Sequence, residues 1–399
     1  MSLLPVDEAQ ARLLAQTTPL PPQTVPLAEA AGRYLAEPLS ARRDQPWTDL
    51  SAMDGYAIRF ADLPGPWQLV GAVPAGAGQS TATLAPGTAL RIFTGAPMPP
   101  GADSVVLQED VDGQGGLIRL TGDGPGQPGK HVRPRASDFA EGAVLLPAGL
   151  RLGPPRMALA ALAGHAEVCV RARPRIAILS TGDELVAPGT PCPPGKLPAS
   201  NDIMLRTMLE GAGARVIASR IVPDDLPLLV DALRACADAD VIVTTGGASV
   251  GDHDLVRPAL EGAGGAIAFW RIAMRPGKPL IYGRLGPMRV LGLPGNPVSS
   301  LVCSLLFLRP LVEAMLGLPS IDHVDSATLG GPVRANDGRQ DYLRADIAVS
   351  ADGTRIATPF DRQDSSMLST FAKAGCLIIR PPHAPPATAG EACSVIILP

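Results

Sequence analysis

The pattern of apolar and polar positions is clearest between residues 175 and 320, where strands and helices alternate. Apolar runs at 175–182, 240–247 and 288–295 predict buried strands. Between them, the segment 224–238 has leucine and valine at helical spacing, which predicts an amphipathic helix. The segment ARVIASRIV predicts a further strand, and Ser200-Asn201 precede a predicted helix that ends at Gly213. This alternation predicts a doubly wound, mostly parallel α/β domain.

The remainder of the chain has a different pattern. Residues 5–17 predict one amphipathic helix that is stopped by prolines. From about 25 to 175 the apolar runs are short and separated by Gly- and Pro-rich loops, which is typical of a β-rich region, with one helix predicted within 150–165. After about residue 321, short β-rich runs return and predict a small C-terminal β domain.

Composition and charge exclude several classes of protein. The chain has 399 residues, which suggests two to three domains, and its net charge of −4 argues against nucleic acid as the main partner. The six cysteines form no CxxC pair, so a structural zinc site is not expected. The apolar run 298–308, ending at Arg309-Pro310, is too short to span a bilayer, and the N-terminus lacks a signal-peptide pattern. We expect a cytoplasmic protein that does not bind a membrane.

Three glycine-bearing loops follow the predicted strands of the α/β domain. They are STGDE (180–184), TTGGASVGD (244–252) and GLPGNP (292–297). Ligands bind beyond the carboxyl ends of strands in such sheets, and glycine lets a phosphate approach the backbone. Each loop alone could be an ordinary strand-to-helix turn. Three loops on one edge, with Lys278 in the nearby RPGKP segment, favour an anion site.

Acidic residues are concentrated beside these loops. Asp183 and Glu184 follow the first loop, Asp224 and Asp225 begin a predicted helix, and Asp252 belongs to the second loop. Carboxylates beside phosphate oxygens are the usual ligands of Mg²⁺. The alternative for Asp224 and Asp225 is helix capping, since an aspartate at a helix start interacts well with the dipole. For Glu184, which follows a buried strand, we favour a functional role.

Three further motifs lie in the β-rich region. They are SAMDGYA (51–57), RIFTGAPMPPGAD (91–103) and VRPRASDFAEG (132–142). The first places the carboxylate of Asp54 beside a glycine within a run of small residues, which alone would also fit a simple turn.

Eight motifs, three from the β-rich region and five from the α/β domain, occur in an order that resembles the MoeA and gephyrin E-domain family over almost the whole chain. Besides those already given, they include ILSTGDEL, SND, TTGGASVGDHD, RPGKP and LGLPGNPVSS. The resemblance implies four subdomains. These are an elongated linker region (1–45 and 143–174), a β-rich domain (46–142), a MogA-like α/β domain (175–320) and a C-terminal β barrel (321–399).

The resemblance also implies an activity. Members of this family insert molybdate into molybdopterin that a MogA-type partner has adenylylated, with Mg²⁺-dependent release of AMP, and the cofactor then passes to downstream maturation proteins. The family forms a homodimer whose active site lies between the α/β domain of one subunit and the β-rich domain of the other.

The family's functional residues can be carried over by motif. The catalytic set, acting partly on the metal end of the substrate, comprises Asp54, Thr94, Asp138 and Glu184. The magnesium ligands implied are Glu184, Asp224 and Asp252. The substrate-binding set comprises Gly246, Gly247, Ser249, Lys278, Pro294, Pro297, Arg344 and Ser366.

Two residues depart from the family pattern. Ala248 stands where a larger β-branched residue is expected, and Arg275 stands where a lysine is common. Because arginine is a different hydrogen-bond donor from lysine, phosphate geometry at position 275 is the part in doubt.

Two other functions fit parts of the sequence. A molybdopterin adenylyltransferase would share the α/β domain, although the full motif order argues against it. A non-enzymatic, gephyrin-like scaffold is the other alternative. The sequence does not distinguish molybdate from tungstate as the oxyanion.

Overall fold

A computed structural model describes residues 3–247, 255–319 and 323–398 of the chain. The chain divides into two compact units. One runs from Thr24 to Val170, and the other combines the residues up to Gln23 with those from Arg171 onward. Two strands, Pro22–Pro26 and Glu167–Arg171, lie where the chain passes from one unit to the other.

The α/β domain is built on a six-stranded sheet. In order across the sheet, its strands are Arg215–Val222, Arg175–Thr181, Val241–Thr245, Met288–Leu293, Ile281–Leu285 and Ala266–Trp270. The first four are parallel and the last two are antiparallel. The four parallel strands are those predicted from the apolar runs. The antiparallel hairpin at the edge was not predicted.

Helices cover this sheet. They are Asn201–Gly211, Leu226–Arg234, Val256–Gly262 and a long helix composed of Pro297–Cys303, the π-helical Ser304–Leu308 and Arg309–Met315. Two short parallel strands, Leu185–Val186 and Leu197–Pro198, pair beside the sheet. Asn296 is the N-cap of the long helix and Pro297 its first residue.

The long helix differs from the sequence-based interpretation. The apolar run ends at Arg309-Pro310, but the helix that contains it continues to Met315 and spans 19 residues. Its length and composition would suffice to cross a membrane, but 78% of the span is buried inside the protein. Burial of this extent is typical of a core helix, whose apolar surface is covered by its own domain.

A closed β barrel follows. Its strands are Val324–Leu329, Gln340–Val349, Arg355–Pro359, Cys376–Arg380 and Ala392–Ile397, with a short helix at Leu368–Phe371. The ring closes because the strand Gln340–Val349 pairs with both Arg355–Pro359 and Cys376–Arg380. A further short strand, Met274–Arg275 from the α/β domain, adds to the barrel sheet. The N-terminal helix Val6–Leu14, shorter than the 5–17 predicted, belongs to the same unit.

The unit Thr24–Val170 is β-rich, as predicted. Its six-stranded sheet contains, in order, Ser104–Leu107, Gly55–Ile58, Thr88–Ile92, Trp67–Val73, Leu117–Leu120 and Val111–Gln114. Short strand pairs join Leu39–Ser40 to Val144–Leu146 and Leu50–Ser51 to Val132–Arg133. The remaining elements are the helix Pro154–Leu162 and the 3₁₀ turns Leu27–Glu29, Phe60–Asp62 and Gln108–Asp110.

Candidate functional site

The register of the parallel strands determines where the glycine-bearing loops meet. Ser180 lies beside Thr245, and Thr245 lies beside Leu293, so the three strands end together at one edge. A cleft of about 880 Å³ opens at this edge. The residues that line it are Ser180, Thr181, Gly182, Glu184, Leu185, Leu197, Pro198, Ala199, Ser200, Asn201, Asp224, Thr245, Gly246, Gly247, Pro279, Pro294, Gly295, Asn296, Pro297, Ser366 and Leu368.

Two of the loops approach so closely that only glycine fits. Gly246 has a φ of +91°, and a Cβ there would lie 2.4 Å from the carbonyl oxygen of Thr181. The neighbouring Gly247 also has positive φ, and a Cβ at Gly295 would lie 3.4 Å from the Cα of Gly246. The loops after the strands therefore pack backbone against backbone, which exposes main-chain groups to the cleft.

Two carboxylates line the same cleft, Glu184 and Asp224. The loop of Glu184 is tied to that of Asp224, because Asp183 N donates to Asp224 Oδ2 at 3.3 Å and Asp224 N donates to Asp183 Oδ1 at 3.1 Å. Helix capping belongs to the next residue, since Asp225 Oδ1 accepts from Leu228 N at 2.9 Å. Of these two aspartates, Asp225 therefore caps the helix and Asp224 lines the cleft.

The negative charge of the cleft favours the binding of a cation. Glu184 and Asp224 are the only charged side chains among the described residues that line it. Phosphates placed beside two carboxylates need a compensating cation, and Mg²⁺ is usually held by one or two carboxylates plus substrate oxygens. The described residues contain no group of three or more His, Cys, Asp or Glu that could hold a metal by itself. This donor set fits magnesium held jointly with a phosphate ligand.

Two asparagines that the sequence analysis did not assign to the site also line the cleft. Asn201 Nδ2 donates to the carbonyl oxygen of Gly295 at 2.8 Å, which fixes the loop after the strand Met288–Leu293. Asn296 Nδ2 donates to Ser365 Oγ at 3.2 Å and so links the α/β domain to the barrel. Both residues stand at helix starts in the sequence, and this signal identified them only as caps.

The barrel contributes Ser366 to the cleft, as the resemblance implied. Its hydroxyl donates to Asp364 Oδ1 at 2.8 Å, and the backbone N–H of Ser366, which also donates to that oxygen, is the larger cause of the lowered pKa of Asp364. Arg344 is placed differently. It is 1% exposed, lies in a barrel strand, and is not among the residues that line the cleft. Burial lowers the pKa of its guanidinium.

The remaining predicted residues of this unit have varied positions. Pro294 and Pro297 line the cleft. Lys278 is exposed and directly precedes Pro279, which lines the cleft, while Lys278 itself is not among the lining residues. Ser249 and Asp252 lie outside the described residues, as does Ala248.

In the other unit, the structure brings Asp54 and Thr94 together. Asp54 Oδ1 accepts hydrogen bonds from Thr94 N at 2.7 Å and from Thr94 Oγ1 at 2.8 Å. These two bonds, the backbone one first, lower the pKa of Asp54. Asp138 is exposed, and its backbone N–H donates to Gln45 O at 2.9 Å. Asp138 follows the strand Val132–Arg133, which pairs with the strand just before Asp54.

Comparisons with known families and proteins agree with this architecture. Residues 4–164 match the MoeA N-terminal region (domain I and II), residues 177–314 a probable molybdopterin binding domain, and residues 326–398 the MoeA C-terminal region (domain IV). These three matches cover most of the chain and confirm the predicted fold class.

Relatives and solved structures extend over similar lengths. The chain is 34% identical to a molybdopterin molybdenumtransferase of Haemophilus influenzae, covering 98% of each chain. It is 39% identical to molybdopterin molybdenumtransferase 2 of Mycobacterium tuberculosis, covering 84% of this chain and 85% of the relative. A molybdopterin biosynthesis MoeA protein from Pyrococcus horikosii superposes with a TM-score of 0.84 at 29% identity, covering 99% of each chain. The chain therefore belongs to the MoeA family, whose curated relatives are molybdopterin molybdenumtransferases.

Proposed function

We propose that the protein inserts molybdate into adenylylated molybdopterin and releases AMP. The observation that carries this proposal is the cleft in which glycine-bearing loops of three parallel strands lie beside Glu184 and Asp224. The names of the curated relatives support the transferase activity, and the exposed backbone of the loops suits a substrate that contains a pyrophosphate.

The phosphates would bind against the loops of Gly246, Gly247 and Pro294. Pro297 begins a helix that continues to Met315. The free N–H groups in the first turn of this helix, and the positive end of its dipole, therefore lie at the cleft. Close backbone contact between the loops keeps these donors in place before substrate arrives. Such preorganisation stabilises charge in the transition state without rearrangement.

Magnesium would be held by Glu184 and Asp224, together with phosphate oxygens of the substrate. When bound, the ion supplies charge compensation at the phosphoanhydride that is cleaved. The carboxylate of Asp224 is held because its Oδ2 accepts from Asp183 N, and the same bonds tie the loop of Glu184 to that of Asp224. Asp252 is proposed as a further ligand from the sequence alone.

Asp54, Thr94 and Asp138 would act at the molybdate end. The two hydrogen bonds from Thr94 keep Asp54 ionised and fixed in orientation. An ionised carboxylate repels the oxyanion, so its role would be to accept a proton or hydrogen bond from the dithiolene or from a protonated oxygen of molybdate.

The assembly proposed is a homodimer in the cytoplasm. It would receive its substrate from a MogA-type adenylyltransferase and deliver the product to downstream maturation proteins. Ser249, Lys278 and Ser366 are retained as proposed substrate contacts from the family motifs. Arg344 is not retained as a direct contact, because it is buried in a barrel strand and does not line the cleft.

Adding molybdate to purified protein with adenylylated molybdopterin and Mg²⁺ tests the activity. Stoichiometric AMP release that requires molybdate supports the proposal. Formation of adenylylated product from ATP and molybdopterin would instead indicate an adenylyltransferase, and neither reaction would indicate a scaffold. Tungstate in competition with molybdate determines which oxyanion is preferred.

The shared site can be tested by mixing two inactive variants, Asp54→Asn and Glu184→Gln. If one subunit supplies Asp54 and the other Glu184, hybrid dimers contain one intact site and recover part of the activity. Complete inactivity after confirmed subunit exchange contradicts a site built from two chains.

A further inference from the structure

The RPGKP segment lies at the tip of the edge hairpin of the α/β sheet. The strands Ala266–Trp270 and Ile281–Leu285 pair antiparallel, and the ladder continues beyond them. Ile272 N donates to Lys278 O at 2.9 Å, and this bond closes the turn formed by residues 272–278. Pro279, the next residue, lines the cleft. The position of the tip therefore determines the position of part of the cleft wall.

The tip is also attached to the barrel. Met274 and Arg275 form a short parallel strand beside Gln340 and Asp341, the first residues of a long barrel strand. Gln340 N donates to Ala273 O at 2.8 Å. The barrel sheet thus extends across onto the tip of a hairpin that begins in the α/β sheet.

The side chain of Arg275 reinforces this attachment. Its Nη1 donates to Asp337 Oδ2 at 3.2 Å, and its Nη2 donates to Asn336 Oδ1 at 3.2 Å and to Asp341 Oδ2 at 2.5 Å. Asp341 is 6% exposed, so this ion pair is shielded from water on the carboxylate side. All three acceptors belong to the barrel. The guanidinium fork is therefore directed at the barrel and not at the cleft.

A close backbone contact fixes the other side of the tip. Gly277 has a φ of +107°, and a Cβ there would lie 2.5 Å from Cys303 Sγ on the long helix. The tip thus rests on the helix at Gly277 and on the barrel at Arg275. Lys278 follows directly, with its side chain exposed.

We propose that Arg275 is a positioning residue that straps the hairpin tip to the barrel and thereby holds Lys278, a substrate contact already proposed from the family motif, beside the cleft. The identity of that substrate rests on the proposed function. Moving Arg275 to a phosphate would break both ion pairs and leave the carboxylate of Asp341 buried without its partner, which is strongly unfavourable. Arginine suits the strap better than lysine because its planar fork reaches several acceptors at once.

Hydrogen exchange tests the strap without any ligand. Arg275→Met should raise amide exchange in residues 271–280 by roughly tenfold, because it removes all three side-chain bonds to the barrel. Asp341→Asn, which removes one of the two ion pairs, should raise exchange in the same residues by less. Arg355→Met, which breaks an exposed ion pair with Asp325 elsewhere in the barrel, should leave this exchange unchanged. Unchanged exchange at the tip in Arg275→Met overturns the strap.

Affinity for AMP and for inorganic pyrophosphate tests the second part. With a strap, Arg275→Met weakens binding about threefold to tenfold, Asp341→Asn weakens it by less, and the double variant is no weaker than Arg275→Met alone. Arg275→Lys retains part of the affinity. Lys278→Met weakens binding at least as much, and its effect diminishes at high salt.

An arginine that binds phosphate directly gives a different result. Asp341→Asn would then free the guanidinium and leave affinity unchanged or increased, whereas Arg275→Met would weaken it, and this outcome overturns the proposal. If the native protein binds neither probe, the proposed function and the role of Lys278 fail together. The exchange experiment still decides the strap separately.

Discussion

The cleft of the α/β domain and the Asp54–Thr94 pair of the β-rich unit hold their polar groups in different ways. In the cleft, residues far apart in sequence meet because parallel strands end at one edge, and glycine backbone forms much of the surface. In the β-rich unit, one carboxylate is held by two donors of a single residue. A backbone surface suits several phosphate oxygens, whereas one oriented carboxylate suits proton or hydrogen-bond chemistry at one atom. The predictions below test whether the two regions divide the reaction in this way.

Glu184→Gln should give the largest effect. It keeps the side-chain volume and removes a charge from the cleft, so single-turnover AMP release should fall by roughly 10²- to 10³-fold while affinity for the adenylylated pterin stays near normal. The Mg²⁺ requirement should rise. Asp225→Ala is the matched control, because Asp225 caps a helix next to the cleft residue Asp224, and loss of the cap should lower the melting temperature instead. Wild-type AMP release by a stable Glu184→Gln protein across a Mg²⁺ titration contradicts the assignment.

Asp54→Asn should lower the yield of active cofactor by at least about tenfold, since a charged hydrogen-bond acceptor is lost. Asp138→Asn should act in the same direction. Both variants should bind AMP like the native protein, because these residues lie outside the unit that contains the glycine loops. Equilibrium binding and product formation, measured on one preparation, separate the two effects. Loss of AMP binding in a folded variant shows that the proposed division is wrong.

Gly246→Ala should destabilise the α/β domain by about 1–3 kcal/mol from the backbone conformation alone, and more from the contact with Thr181 O. Chemical denaturation measures this change. Gly286→Ala is the control, since Gly286 also has positive φ but a Cβ there meets nothing within 4 Å. Equal destabilisation in the two variants means that the close approach to Thr181 has no energetic consequence.

Thr94→Ala should give the smallest effect. It removes the hydroxyl donor and keeps the backbone donor, so the pKa of Asp54 rises part of the way towards its usual value. Because the pKa of Asp54 is lower in the folded protein than in the unfolded chain, its ionised form stabilises the fold at pH values above the unfolded pKa. This stabilisation is lost as the pH falls through the folded pKa, and in Thr94→Ala the loss occurs at higher pH. The acid limb of the pH–rate profile should also move to higher pH, and turnover at neutral pH should fall by less than about tenfold. Thr94→Ser should behave like the native protein, and an unmoved acid limb in Thr94→Ala contradicts this role of the hydroxyl.

The parallel strands, and the sheet edge at which their loops meet, could be predicted from the sequence. Continuous apolar runs followed by glycine are strong signals, because buried parallel strands need them and because sharp turns after strands need glycine. The hairpin Ala266–Trp270 and Ile281–Leu285 was missed, since its two short strands flank the Pro- and Gly-containing RPGKP segment and the second strand contains Gly283 and Arg284. The extent of the long helix was not predicted, because the apolar run stops at Arg309-Pro310 and proline normally interrupts helices. In the structure the π-helical segment Ser304–Leu308 directly precedes it, and the helix continues.

Contacts between distant segments could not be read from the sequence. Arg275 looked like a phosphate-facing residue by its motif, yet its partners Asp337 and Asp341 lie more than 60 residues later in the barrel. Asn201 was noted only as part of a helix start, although it holds Gly295. The separate roles of Asp224 and Asp225 depended on a difference of one residue in where the helix begins, which sequence patterns do not resolve.

The N-terminal helix has a consequence for the order in which the chain acquires its structure during synthesis. Val6–Leu14 belongs to the unit that is otherwise formed after Arg171, and Gln10 Nε2 donates to Leu306 O, 296 residues away along the chain. The ribosome therefore completes the contiguous unit Thr24–Val170 long before the first helix can find its partners. Until the long helix emerges, Leu13 lacks the surface against which it is buried in the folded protein, so its apolar side chain stays exposed in the nascent chain.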